Sequence, residues 1–207
     1  MKYDREGPFI VGFGHRRRVG KDTLADLVRK HLAMNSDLRA ERVSFARRLK
    51  QTAYKLFLYA GLQDPDFYDV HPERREVPLP EIGKSPRDLW IEMGNRLRDV
   101  DPDIWIRNAL DDPPRPEADV VLVSDVRYPN EAAYIRKRLG LLVKVVRPGV
   151  SDSDDIADSA LAGLPDGKWD KVVVNDGGLD ALDREAGYLA GLIPAKAKAR
   201  KRQANGE

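Results

Sequence analysis

The fold follows from the stretch Phe9-Ile-Val-Gly-Phe-Gly14-His-Arg-Arg-Arg-Val-Gly20-Lys21-Asp22-Thr23, where an apolar run leads into a basic loop punctuated by glycine. The apolar run predicts a buried strand, and the spacing of the leucines and valine that follow predicts a helix over about residues 22–34. A loop between a strand and a helix binds anions well, because its backbone N–H groups and the positive end of the helix face the same point. This order of elements therefore predicts a phosphate-binding loop.

The loop departs in two places from the usual spacing, which is Gly, four residues and then Gly-Lys-Ser/Thr. His15 stands where the first glycine is expected, and Asp22 follows the lysine, so the hydroxyl comes one residue later. The flanking strand and helix favour a nucleoside triphosphate site, in which the lysine reaches the β- and γ-phosphates. The alternative is a basic surface turn. The predicted ATP-binding residues of the loop are Gly14, His15, Arg16, Arg18, Gly20, Lys21, Asp22 and Thr23.

Composition excludes several classes of protein. With 207 residues, of which 42% are hydrophobic and 34% charged, the chain can build one α/β domain with a good core. No apolar run approaches the roughly 18–20 residues of a membrane helix, and the N-terminus lacks the apolar core of a signal peptide. The absence of cysteine excludes disulfide and thiolate chemistry. These features predict a cytoplasmic protein with no membrane partner.

Four further apolar runs alternate with helical patterns along the chain, near residues 42–45, 119–124, 141–146 and 171–174. This alternation predicts a three-layer α/β/α fold with a mainly parallel sheet, as in the P-loop nucleoside triphosphate hydrolase-like fold. We predict a single kinase domain over residues 9–194, preceded by a flexible leader at residues 1–8.

The last stretch, residues 195–207, contains five lysine and arginine residues. It predicts a disordered basic tail, because chain ends with small and charged residues are commonly frayed. Such a tail could bind nucleic acid weakly through phosphates. The alternative is a solvated end without a partner.

A lid insertion that binds the acceptor is predicted over about residues 61–110. Residues 61–86 contain five prolines and show no periodicity, and structureless loops of this length are uncommon unless they are functional. A helix is predicted over about residues 86–99, with Ser85 as its N-cap and Pro86 in its first turn. Lys84 and Arg87 stand at this N-terminus, which suits an anion, although a solvated role for Arg87 stays open.

Polar residues follow the third predicted strand, in the run Ser124-Asp-Val-Arg-Tyr-Pro-Asn-Glu131. Because ligands of open α/β sheets lie beyond the carboxyl ends of the strands, Asp125 is placed to hold Mg²⁺ or its waters. Arg127 could clamp a phosphate or stabilise the phosphoryl group in transfer. Two alternatives stay open: Asp125 could cap the next turn, and Arg127 could form a surface ion pair with Glu131.

Taken in order, several motifs resemble the deoxynucleoside monophosphate kinases of bacteriophages, over about residues 9–183 of this chain. The Lys-x-Thr ending of the loop also resembles that of nucleoside monophosphate kinases. The acidic stretch at residues 151–159 departs from the family, which often has a His-x-Ser-Glu-like sequence there. The motifs that carry the resemblance are Gly20-Lys-Asp-Thr23, Ser44-Phe-Ala46, Ser85-Pro-Arg-Asp-Leu-Trp90, the run from Ser124 to Glu131, Arg147-Pro148 and Asn175-Asp-Gly177.

The resemblance implies transfer of the γ-phosphate of ATP to a deoxynucleoside 5′-monophosphate, which gives the diphosphate. It admits a homodimer and implies Mg²⁺ as the cofactor. A kinase of another small acceptor, such as dephospho-coenzyme A, and a non-enzymatic nucleotide- or nucleic-acid-binding module remain the alternatives.

Each role falls on matching residues of this sequence. We expect Lys21, Arg127 and Asp125 to be catalytic, and Thr23 and Asp125 to hold the metal. Asn175 and Gly177 are expected near the adenine of ATP. The expected acceptor-binding residues are Lys84, Arg87, Trp90 and Arg127.

Overall fold

The computed structural model describes residues 7–111, 117–150, 160–161 and 163–205. Within these residues the chain forms two compact units, one made of residues 7–43 and 117–205 and the other of residues 44–111. The sequence predicted one domain, with an insertion beginning near residue 61. The structure differs because the second unit begins earlier, at the helix that follows the second strand.

The first unit is built on a five-stranded sheet in which every pairing is parallel. The strand order β2-β3-β1-β4-β5 confirms the predicted α/β class and parallel sheet. The connection from β1 to β2 passes over β3, and the later connection from β3 to β4 passes over β1 in the opposite direction. The strands are β1 (Phe9–Gly14), β2 (Ala40–Val43), β3 (Val120–Val126), β4 (Leu141–Val146) and β5 (Lys171–Val174).

The α-helices of the described residues are α1 (Lys21–Asn35), α2 (Phe45–Phe57), α3 (Pro65–Val70), α4 (Pro86–Val100), α5 (Ile104–Ile106), α6 (Pro129–Lys137) and α7 (Leu179–Asn205). A π-helical turn, Arg107–Asp111, continues α5. Among these helices, none combines the length and the apolar character that a bilayer crossing requires.

Helices cover both faces of the sheet, which gives the three layers. Alternate residues of β1, such as Val11 and Phe13, join a buried cluster with Leu24 of α1 and Leu189 of α7. The opposite face carries α6, which approaches the sheet closely at Gly12. A Cβ atom built on Gly12 would lie 2.5 Å from Ile135 Cδ1, so only glycine admits this packing.

The strand order creates a switch point at the carboxyl ends of β1 and β3, because the connections that leave these strands run in opposite directions along the sheet. Gly12 pairs with Val123 and Gly14 pairs with Val126, so one residue of β1 lies opposite two residues of β3. The extra residue makes a bulge in β3 that includes Asp125. Bulges commonly re-aim side chains beside functional sites, and this one lies at the edge where ligands of such sheets bind.

The second unit has its own small core, which corrects the prediction that residues 61–86 are irregular. Leu62, Tyr68 and Leu79 are buried with Leu89 and Trp90. The prolines misled the sequence reading, since they start helices instead of breaking them. Pro65 begins α3, Pro72 begins a 3₁₀ turn (Pro72–Glu76) and Pro86 begins α4, where Ser85 is the predicted N-cap.

The predicted disordered tail is also corrected, because α7 continues to Asn205. Arg200 lies on this helix and is only 3% exposed. Its guanidinium donates hydrogen bonds to Pro8 O (2.9 Å) and Gly7 O and lies 5.8 Å from the centre of the Phe9 ring. Ala, Lys and Arg are good helix formers, and Ile193, Ala197 and Arg200 bury one face of the helix, so the basic segment stays helical.

Arg200→Ala should therefore destabilise the protein by about 1–3 kcal/mol, because two backbone carbonyls lose their buried charged donor. The free energy of unfolding in urea measures this change. Arg202→Ala is the matched control, since Arg202 is exposed on the same helix and should shift stability by less than about 0.5 kcal/mol. Equal, small effects of both variants would contradict the anchored helix.

Candidate active site

The loop between β1 and α1 has an unusual backbone. His15 (φ 98°), Arg18 (φ 61°) and Gly20 (φ 98°) all lie in the left-handed region. His15 thus adopts a conformation that glycine takes without strain, at the position where the sequence motif expects glycine. Backbone strain of this kind is concentrated at ligand sites, where the surrounding structure enforces it.

Lys21, the first residue of α1, is only 5% exposed. Its ammonium donates hydrogen bonds to the carbonyl oxygens of His15 (3.1 Å) and Arg16. The loop therefore folds around its own lysine. The oxygens of a phosphate group are stronger acceptors for this charge than neutral carbonyls, because both partners are then ionised.

The loop is rich in positive charge. Burial, assisted by the charges of Lys144, Arg16 and Lys21, lowers the pKa of His15, although a hydrogen bond with the backbone of Val145 opposes the shift. A lowered pKa keeps the imidazole neutral at neutral pH, so His15 fits among three cations. Arg16 also donates to Val150 O (3.5 Å), whereas Arg18 is exposed.

Asp22 has a function in the structure that the sequence did not reveal. Its Oδ1 accepts hydrogen bonds from Ser124 Oγ (2.7 Å) and Arg42 Nη1 (2.9 Å). Ser124 is fully buried near the end of β3, so this contact fixes the first turn of α1 to that strand. Sequence reasoning named Ser124 only within a motif and missed Arg42. A hydroxyl ending an apolar strand was the available signal, since its burial requires a hydrogen-bond partner.

The residues present fit a magnesium ion bound together with a nucleotide. Thr23 is exposed in the first turn of α1, and Asp125 is half-buried in the bulge of β3. Asp22 precedes Thr23 and Ser124 precedes Asp125, and the hydrogen bond between Asp22 and Ser124 links these two positions. Their oxygen atoms suit a hard cation, which binds through one or two carboxylates, waters and phosphate oxygens. Among the described residues, no group of three or more histidine, aspartate or glutamate side chains is arranged to hold a metal ion by itself.

The turn that carries Arg127 is held by Glu131. The Glu131 carboxylate is buried and accepts hydrogen bonds from the backbone N–H groups of Arg127 (2.7 Å) and Tyr128 (3.0 Å) at the start of α6. These bonds join Glu131 to the backbone of the turn. An acid near a helix N-terminus satisfies N–H groups that have no partner within the helix.

Asn175, predicted near adenine, contacts the loop itself in this structure. Its Nδ2 donates a hydrogen bond to Val19 O (2.9 Å). Gly177 follows in an exposed turn before α7. Trp169, which the sequence did not single out, packs on the start of the loop. A Cβ atom built on Gly14 would lie 2.6 Å from Cη2 of its indole ring.

Three of the predicted acceptor-binding residues belong to the second unit, where each already has a protein partner. Lys84 pairs with Glu92, whose pKa this hydrogen bond lowers, and Arg87 pairs with Glu76. Trp90 is only 7% exposed, and its ring lies edge-on to Tyr68 with centres 5.1 Å apart. The structure thus places Trp90 in the small core of the second unit.

Comparison with known proteins identifies the family. No family model matches the chain. A protein of Acanthamoeba polyphaga mimivirus named "Putative deoxynucleotide monophosphate kinase" is 32% identical over 184 residues, which cover 81% of this chain and 88% of that protein. The structure of shikimate kinase from Acinetobacter baumannii in complex with shikimate is also similar. The superposition covers 92% of this chain and 95% of that chain, with 14% sequence identity and a TM-score of 0.36, which is too distant a similarity to carry an argument. On the viral relative, the chain belongs to the deoxynucleotide monophosphate kinase family and is a phosphotransferase.

Proposed function

We propose that this protein transfers the γ-phosphoryl group of ATP to a deoxynucleoside 5′-monophosphate, as the bacteriophage enzymes that its motifs resemble would do. The observation that carries the proposal is the buried ammonium of Lys21, enclosed by the strained loop at the end of β1. A buried cation that donates to loop carbonyls is suited to an anionic ligand, because ionised oxygens are stronger acceptors than carbonyl oxygens.

The reaction needs no protein nucleophile. An oxygen of the acceptor phosphate attacks the γ-phosphorus, the bond from that phosphorus to the β,γ-bridging oxygen breaks, and ADP leaves. The acceptor oxygen is already anionic, so catalysis consists of positioning and of neutralising charge. Lys21 would neutralise the β- and γ-phosphates, and Arg127 would stabilise the phosphoryl group in transfer. Mg²⁺, held by Thr23 and Asp125, would neutralise further charge when it is bound with ATP.

The acceptor phosphate would be bound in the second unit by Lys84 and Arg87. Both residues stand at the N-terminal end of α4, where backbone N–H groups favour an anion. Their ion pairs with Glu92 and Glu76 are partly exposed, and such pairs are weak. A dianionic phosphate can therefore compete with either carboxylate for its cation.

A panel of acceptors tests the proposal. Each is mixed with ATP and Mg²⁺, and products are separated by ion-exchange chromatography. We expect a deoxynucleoside diphosphate from at least one of the four common deoxynucleoside monophosphates. Faster phosphorylation of dephospho-coenzyme A, or no phosphorylation of any acceptor, would refute the proposal.

Lys21→Ala should reduce turnover by about 10²-fold or more, because the γ-phosphate loses its main charged contact. The measurement is kcat under saturating substrates, with circular dichroism to verify the fold. Lys30→Ala is the control, since Lys30 is exposed on the same helix and should leave kcat unchanged. Full turnover by a folded Lys21→Ala protein would exclude the loop as the phosphate site.

Thr23→Val and Asp125→Asn should each raise the Mg²⁺ concentration for half-maximal activity by about 10-fold or more. Mutation of residues that only hydrogen-bond to a metal ligand already weakens metal binding by about 10-fold or more. Asp37→Asn removes an exposed carboxylate after α1 and should have no effect. If Asp125→Asn instead lowers the melting temperature at an unchanged Mg²⁺ requirement, Asp125 is a structural cap.

Arg87→Ala should raise the KM for the acceptor by about 10-fold, as expected for one charged hydrogen bond, and leave the KM for ATP unchanged. Glu76→Gln should lower the acceptor KM by about two- to fivefold, because Arg87 loses its competing partner. Glu81→Gln, at an exposed acid nearby, is the control. Equal effects of Arg87→Ala on both substrates would remove Arg87 from the acceptor site.

A further inference from the structure

Asn175 connects the end of the sheet to the end of the phosphate loop. It directly follows β5, and its backbone N–H donates to Val146 O of the neighbouring strand (2.7 Å). Its side chain donates to Val19 O (2.9 Å), across 156 residues of sequence. The backbone bond fixes the residue to the sheet, so the side-chain bond fixes the loop to the same support.

Gly20 is what allows this contact. It has φ 98°, and a Cβ atom built on it would lie 2.5 Å from Asn175 Nδ2, so any other residue would displace the amide. Gly20 also precedes α1 and accepts the hydrogen bond from Leu24 N (2.9 Å) that starts the helix. Asn175 therefore holds the peptide between Val19 and Gly20, and the first turn of α1 holds the next peptide, between Gly20 and Lys21.

The orientation of this peptide bears on phosphate binding. In a trans peptide the C=O and the following N–H point in opposite directions. Since Asn175 binds Val19 O on one side, the N–H of Gly20 points away from Asn175. In loops of this kind, N–H groups preceding the lysine contact phosphate oxygens. A peptide free to flip would present a carbonyl oxygen to an anion instead.

We propose that Asn175 is a positioning residue for the phosphate loop, which holds the Val19–Gly20 peptide so that the Gly20 N–H is directed to a phosphate oxygen. The inference rests on the proposed function, because it takes the loop as the ATP site. It differs from the role near adenine that the resemblance implied. A residue that orients the loop acts on the phosphates whatever base they carry, whereas a residue at adenine acts on the base alone.

Inorganic tripolyphosphate separates these two roles, because it has the phosphate chain of ATP and no base. Dissociation constants of Mg·ATP and of Mg·tripolyphosphate are measured by isothermal titration calorimetry for the wild type and for Asn175→Ala. Val174→Thr is the control, since Val174 is exposed at the end of β5 and the change keeps both shape and charge. We expect Asn175→Ala to weaken both ligands by a similar factor, about 10-fold for the loss of one positioning hydrogen bond, and the control to weaken neither.

Two results would overturn the inference. Asn175→Ala could weaken ATP while it leaves tripolyphosphate unchanged, which assigns the residue to adenine, or it could affect neither ligand. If the wild-type protein binds neither ligand, the proposed function itself is wrong. This result differs from the two above, in which the wild type binds ATP.

Hydrogen exchange keeps the test informative if Asn175→Ala is unstable. Asn175→Asp has the same size but its ionised carboxylate cannot donate to Val19 O. In the unliganded protein it should accelerate exchange of the Gly20 and Lys21 amides at least severalfold while the amides of β1 stay protected. Equal acceleration in β1 and in the loop would show general destabilisation and contradict a local positioning role.

Discussion

The structure of the first unit depends on one constraint, the burial of the Lys21 ammonium inside the loop that ends β1. A cation out of contact with water is costly unless polar groups surround it. The loop meets this demand with its own carbonyl oxygens and adopts left-handed backbone at His15 and Arg18 to do so. Such an arrangement is rigid only if the loop is fixed at both of its sides, and the surrounding contacts supply that support.

Two hydrogen bonds provide it, from strands on opposite sides of β1. The contact of Asp22 with Ser124 ties the start of α1 to β3, and the contact of Asn175 with Val19 ties the end of the loop to β5. Preorganised donors cost little reorganisation when charge shifts in the transition state, which is why phosphoryl transfer benefits from rigid loops. The two departures from the usual motif fit this account: Asp22 bonds to a strand, and His15, kept neutral by its lowered pKa, adds no charge to a crowded site.

Sequence reasoning predicted what is encoded locally. The strand, loop and helix around Lys21, the parallel sheet and the N-cap at Ser85 follow from periodicity and from short motifs. The bond of Asp22 to Ser124 and the bond of Asn175 to Val19 could not be predicted, because the partners lie 102 and 156 residues away in sequence. The prediction of a disordered tail was wrong because the buried face of that helix, which includes Arg200, cannot be told from a charged chain end by composition. The prediction that residues 61–86 are irregular was wrong because proline can begin a helix as well as end one.

The path of the transferred phosphorus tests the central claim most directly. The protein is incubated with [γ-³²P]ATP, Mg²⁺ and a deoxynucleoside monophosphate, and the products are separated and degraded to locate the label. The account predicts label in the β-phosphate of the deoxynucleoside diphosphate and none in its α-phosphate. Label that appears only as inorganic phosphate, or that stays in ATP, would contradict it.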